Sequence, residues 1–239
     1  MRCPLYREIV MCFSAKASFI ASGTLTVMGL LCVYRAKKNK ALLPFACTPL
    51  IFAIQQFCEG LVWIGLTKEL TQYPFYTIGM YGFVFFAGIW WPSWSPFTLY
   101  ILEHQYARKR ILFITLIIGV FTSVVYLISL ITQPLTVLII NHHLYYPTLS
   151  YPFNSVNSLA QSIETYLTAP YFIATIVPCF VIRISGMWLL GVVMGIGSLT
   201  GYVFYYPTTA STWCFFAAIS SMLIYGIIYI QSQKSDKKN

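Results

Sequence analysis

Glu59 stands in the string Gln55-Gln56-Phe57-Cys58-Glu59-Gly60, about two thirds of the way along an apolar run over residues 42–66. A run of that length can cross a bilayer, and an acid inside it costs on the order of 3 kcal/mol unless it faces protein or water. Gln55 and Gln56 precede it by four and three residues, so a helix puts the three side chains on one face. Two kinds of chemistry suit such a set. It can bind a small ligand, a cation or a proton, or it can tie helices together through hydrogen bonds worth about 0.6 kcal/mol each in a membrane. A carboxyl withdrawn from water can stand as a neutral donor as well as an anion.

Other residues able to do chemistry fall at a similar depth in separate parts of the chain. Cys12 and Ser14 lie at the mouth of the first apolar run, and Glu164 and Gln161 at the start of the fifth. Trp213 and Cys214 open the seventh, and the pair His142-His143 sits in the longest connection. Neighbouring side chains on a strand point to opposite faces, so at most one of the two histidines can join the others. The ligand-binding candidates are therefore Glu59, Gln55, Gln56, Cys12, Ser14, His142, His143 and Glu164. A metal needs three or four convergent ligands, and the chain has no HxxxH, HExxH or CxxC spacing, so no metal site is predicted. Glu59, one histidine and Glu164 are the only conceivable ligand set. As an enzyme, the chain would use Glu59 as general acid or base and Ser14 or Cys12 as nucleophile on a lipid. No spacing of nucleophile, base and orienting group supports that alternative, and no catalytic residue or cofactor is identified. A third reading is a structural or assembly protein held by polar contacts. At the opposite depth, Glu103 and His104 precede Arg108-Lys109-Arg110, where the carboxylate is expected to pair with those bases or with Arg183.

The elements that must position these residues are membrane helices. The 239 residues are 58% hydrophobic and only 9% charged, against about 25% charged in soluble proteins. Seven apolar runs, over 19–34, 42–66, 75–102, 111–131, 159–182, 187–206 and 212–230, predict an all-α bundle of seven transmembrane helices forming one domain over 1–239. The third run would be roughly 42 Å long as a straight helix, longer than the hydrocarbon core, and Pro92 and Pro96 predict a kink and tilt. The connection over 132–158 holds a β-rich stretch, Leu135 to Ile140, followed by Leu144-Tyr145-Tyr146, which predicts a short hairpin capping the outer side. Asn154, Ser155 or Asn157 would cap the helix that follows.

The net charge of +9 reads as topology rather than as a nucleic-acid surface, because the basic residues gather at the ends of apolar runs. Eleven lie in alternate segments: 35–40, 108–110, Arg183 and the basic tail over 231–239. Only Arg2, Arg7, Lys16 and Lys68 lie in the others. The positive-inside rule then puts the N-terminus outside and the C-terminus in the cytoplasm, in a cytoplasmic membrane. No cleavable signal peptide is recognised. The seven cysteines, scattered through apolar stretches, read as small packing residues. The lipid bilayer is the expected partner, with a small molecule or ion as possible ligand; oligomeric state is not legible.

Several strings also carry a resemblance. They are Met11-Cys12-Phe13-Ser14-Ala15, Leu43-Pro44-Phe45, Gln55-Gln56 with Glu59-Gly60 and Trp63, and Trp91-Pro92 with Pro96. Leu102-Glu103, His143-Leu144-Tyr145 and Ser211-Thr212-Trp213-Cys214-Phe215-Phe216-Ala217-Ala218 complete the set. Together they resemble a family of prokaryotic multi-span membrane proteins of unknown function that opens with Met-Cys-Phe-Ser, over about 11–225. The resemblance implies no activity. Residues 1–10 precede the family-like opening and read as an upstream extension, with translation expected to begin at Met11 in part of the population.

Overall fold

The computed structural model describes residues 14–150, 158–205 and 208–236. Helix α1 (Ala15–Ala36) begins where Ser14, in extended conformation, accepts a hydrogen bond from the Ala17 N–H at 3.2 Å. A short 3₁₀ turn (Lys40–Leu42) and α2 (Leu43–Ala46) lead into α3 (Thr48–Thr67). Then come α4 (Pro74–Val84), a π-helical stretch (Phe85–Trp90) and α5 (Trp91–Leu102), which abut without a break. Helix α6 (Tyr106–Thr132) is followed by strands β1 (Leu138–Ile140) and β2 (His143–Tyr145) and the single turn α7 (Pro147–Ser150). Helices α8 (Ser158–Val181), α9 (Met187–Tyr205) and α10 (Thr209–Asp236) complete the chain. Among the described residues, each apolar run read from the sequence thus falls largely on helix.

Among the described residues, four helices are long and apolar enough to cross a membrane: Ala15–Ala36, Lys40–Thr67, Tyr106–Thr132 and Met187–Tyr205. Two of them, α1 and α6, turn mostly small and hydroxyl residues inward and large apolar ones outward, with Leu25 and Leu112 buried among the small ones. Helix α6 buries Thr115, Gly119, Thr122, Ser123 and Ser129 while exposing Phe113, Ile117, Phe121 and Ile131. Helix α1 buries Ser18, Ser22, Gly29 and Ala36 and exposes Ile20, Val27, Leu30 and Tyr34. Small buried residues let helices approach closely. A Cβ on Gly29 would meet Leu50, and one on Gly60 would meet Phe19, so α1 and α3 pack nearly backbone to backbone. Ser22 Oγ donates to the Ala53 carbonyl across that contact at 2.8 Å.

The core is layered along the bundle. At one end Cys32, Leu42, Leu99, Leu112, Ile182, Met187 and Ile224 pack together. The C-terminal ends of α1, α5, α8 and α10 therefore meet the N-terminal ends of α2, α6 and α9. Leu25, Phe52 and Trp91 fill the middle. At the other end Cys58, Val62, Trp63, Tyr76 and Phe83 meet Val137, Leu144 and Tyr146 of the hairpin segment.

Immediately before Pro92 the helix takes a π-helical form over Phe85–Trp90. Proline supplies no N–H to a preceding carbonyl, and other helices answer for part of the deficit. Tyr171 Oη donates to the Ala87 carbonyl at 2.8 Å, and Ser123 Oγ to that of Ile89 at 2.6 Å. The Pro92 carbonyl, whose helical partner would be the missing N–H of Pro96, lies against Gly119, where a Cβ would clash with it.

The hairpin is the predicted cap. Strands β1 and β2 pair antiparallel with Ile140 opposite His143, leaving Asn141-His142 as a two-residue turn with φ of 48° and 62°. Positive φ at both central residues is the type I′ geometry that matches strand twist.

Candidate functional site

Helix α3 brings Gln55, Gln56 and Glu59 into the interior: they are 2%, 3% and 0% exposed. Gln56 Nε2 donates to Glu59 Oε2 at 3.2 Å along the helix face. Ser211 Oγ, in the first turn of α10, donates to Glu59 Oε1 at 2.7 Å. The carboxylate thus joins α3 to α10 with a donor at each oxygen. Gln55 turns to a different neighbour. Its Oε1 accepts from Trp91 Nε1 at 2.6 Å, and the Trp91 ring stacks on Phe52 with centroids 4.0 Å apart. The shared face read from the sequence therefore divides: Gln56 serves Glu59, while Gln55 anchors α5.

Trp91 also walls a cavity of about 40 Å³ between α3, α5, α8, α9 and α10. Its lining includes Phe52, Trp94, Tyr171 and Trp213, with hydroxyls from Thr48, Thr98 and Ser220. Trp94 is held in place by an indole N–H bond to Thr48 Oγ1 at 3.2 Å. Ser18 on α1 is 2% exposed, and its hydroxyl has no hydrogen-bond partner among the described residues. It neighbours Phe19, whose ring lies against Gly60 and Phe57 of α3, so it sits at the level of Glu59.

The remaining candidates are distributed as follows. His143 is buried and meets Tyr205 edge-on, with centroids 5.2 Å apart, while His142 occupies the exposed turn. The turn carries His142 outward, and β2, which begins at His143, turns the second histidine inward. Burial, with a smaller contribution from His142, holds the His143 imidazole below its ordinary range. Ser14 is committed to capping α1. Cys12 lies outside the described residues, and of Glu164 only the helical backbone is described. Among the described residues no three His, Cys, Asp or Glu side chains gather as a metal set.

Sequence reasoning missed Ser211 and Ser18 as members of this site. Ser211 had a signal in its position two residues before Trp213, at the depth of Glu59. Ser18 had none beyond its place on the small-residue face of α1.

At the other end, Glu103 pairs with Arg108 as expected, Nε to Oε2 at 2.8 Å. Glu103 Oε1 also accepts the backbone N–H groups of His104 and Gln105. Burial raises the carboxyl, but the Arg108 guanidinium and those two N–H donors outweigh it and hold the group below the usual carboxylate range.

The fold and its inverted faces define a helical protein with several membrane-capable helices and a polar network buried in its interior. Residues 11–238 match the model of a family described as "Family of unknown function (DUF6629)", and the chain belongs to that family. No curated protein and no solved structure matches it.

Proposed function

We propose that the chain crosses the cytoplasmic membrane seven times as one bundle, N-terminus outside and C-terminus in the cytoplasm, and binds a proton or small cation at Glu59 in its outer half. The four span-capable helices support the membrane reading. The unbroken helical stretch over 74–102 adds a rod of roughly 43 Å, enough to cross a 30 Å core. Helix α8, with 24 residues, and α10, with 28, have comparable reach. The layered core supports up-and-down alternation of the rods. It gathers the segments around Arg35, Arg108 and Arg183 at one end, which the positive-inside rule makes cytoplasmic.

The observation that carries the site is Glu59 itself: an acid with no exposed surface, bridging two helices that meet only in the folded chain. Intramembrane acids with polar partners from another helix are the usual markers of ion and proton pathways. The small cavity walled by Trp91, the partner of Gln55, lies beside this network without reaching Glu59 itself. At about 40 Å³ it has room for roughly two or three waters. Its tryptophan faces are favourable to a cation, and the Ser18 hydroxyl is an available ligand at Glu59 level. Gln55, Gln56 and His143 complete the set, with Cys12, Ser14 and Glu164 as candidates at the mouth.

The test compares wild type with Glu59→Gln by thermal unfolding in detergent across pH and in sodium, potassium or choline chloride. Both proteins should fold. A pH- or cation-dependent shift in wild type that Glu59→Gln loses supports the site. Equal responses in the two proteins, or none in either, overturn it and leave Glu59 as interhelical glue.

A further inference from the structure

We propose that the basic end of the bundle carries a second site, unrelated to Glu59, that binds a phosphate group at the membrane surface, foremost that of an anionic lipid headgroup. A cavity of about 740 Å³ opens there, where the α1–α2, α5–α6 and α8–α9 connections meet the C-terminal part of α10. Its polar lining comprises Asn39, His104, Gln105, Arg108, Arg183 and Gln231 around Glu103.

Two features make this a built site rather than a patch of surface charge. First, Glu103 is 5% exposed and its oxygens receive four donors: Arg108 Nε at 2.8 Å, Arg108 Nη2 at 3.3 Å, His104 N at 2.9 Å and Gln105 N at 2.8 Å. The carboxylate is saturated and acts as a brace that fixes the Arg108 guanidinium in one orientation. Two of the five N–H donors of that guanidinium are spent on Glu103, leaving three for a ligand. Second, Arg183 reaches the same cavity from the α8–α9 turn, is exposed, and has no carboxylate partner among the described residues. A planar guanidinium held rigid beside a second, uncommitted one matches the tetrahedral oxygens of a phosphate. Amide groups of Asn39, Gln105 and Gln231 supply neutral donors around them.

Size and polarity choose between a soluble phosphate and a lipid. A bare phosphate fills only a fraction of 740 Å³, and the walls include Leu102 and Ile182 beside the arginines. A headgroup with its glycerol backbone uses both kinds of wall. Basic cavities between membrane helices on the cytoplasmic side are suited to such headgroups.

The test uses full-length protein in nanodiscs of phosphatidylcholine alone or with phosphatidylglycerol, and separately in detergent with inorganic phosphate. Readouts are thermal unfolding and retained lipid by native mass spectrometry. Phosphatidylglycerol should stabilise wild type and remain bound. Arg183→Gln should weaken that retention about tenfold, the loss of one charge-assisted contact. Arg110→Gln, which removes the same charge from the same end but outside the cavity, should leave it unchanged. A response to inorganic phosphate of equal size, lost in Arg183→Gln, assigns the same site to a soluble phosphate. Equal weakening by both substitutions, or no response to either probe, overturns the proposal.

Discussion

Ser211 illustrates what a single hydroxyl does in this bundle. Its bond to Glu59 spans 152 positions of sequence, and removing it leaves a fully buried carboxylate oxygen short of a donor. Ser211→Ala is expected to cost about 1–3 kcal/mol, read as a lower detergent melting temperature. Ser211→Thr, which keeps the hydroxyl, should recover part of the loss. The acid was legible from the sequence because a charged residue in an apolar run has no neutral explanation, and Gln56 was legible from helical spacing. Ser211 was not, because which serine of a distant helix reaches a given carboxylate is decided by helix register. Glu103 gives a pH prediction. Its folded-state acidity is strengthened, so its contribution to stability is full above the ordinary value of 4.5 and is lost as pH falls below that toward the folded value. Arg108→Gln should lower stability at neutral pH and flatten that acid-side decline, as measured by melting temperature against pH. A decline that persists unchanged in Arg108→Gln would remove the brace assigned to this pair.

At the scale of elements, the long third rod is the instructive case. Its prolines announce a break in hydrogen bonding, and the sequence-level expectation was a kink. The chain widens there into a π-helical stretch and draws donors from α6 and α8 to the carbonyls of Ile89 and Ala87. Proline marks the missing donor but says nothing about who replaces it, so the remedy was not readable. Tyr171→Phe removes one replacement and should cost about 1–2 kcal/mol. Gly119→Ala sets a methyl against the Pro92 carbonyl, where backbone cannot yield as a side chain does, and should cost about 1–3 kcal/mol by overpacking. Both are measured by thermal unfolding in the same detergent. The hairpin, by contrast, was legible from β-rich composition on either side of a short polar pair. Its turn type was not, since Asn141-His142 lacks the glycine that usually announces positive φ.

At the scale of the whole molecule, helices were the most legible feature, because apolar runs of bilayer length have few other uses. The inward polar and outward apolar faces of α1 and α6 add what composition alone lacks: a reason to place these helices in lipid rather than in the core of a larger soluble assembly. With seven spans, a reporter active only in the cytoplasm should work when fused after Asn239, and a periplasm-dependent one should fail. The reverse result would invert the orientation and exchange the surroundings of the Glu59 and Arg183 sites. The central claim, that Glu59 exchanges a proton or takes a small cation, is tested most directly by infrared difference spectroscopy of wild type against Glu59→Gln in lipid. The account predicts a protonated-carboxyl carbonyl band, present in wild type and absent in the variant, whose intensity changes with pH or with added sodium or potassium. A wild-type spectrum whose carboxyl bands at every pH and salt match those of Glu59→Gln apart from a constant contribution would contradict it.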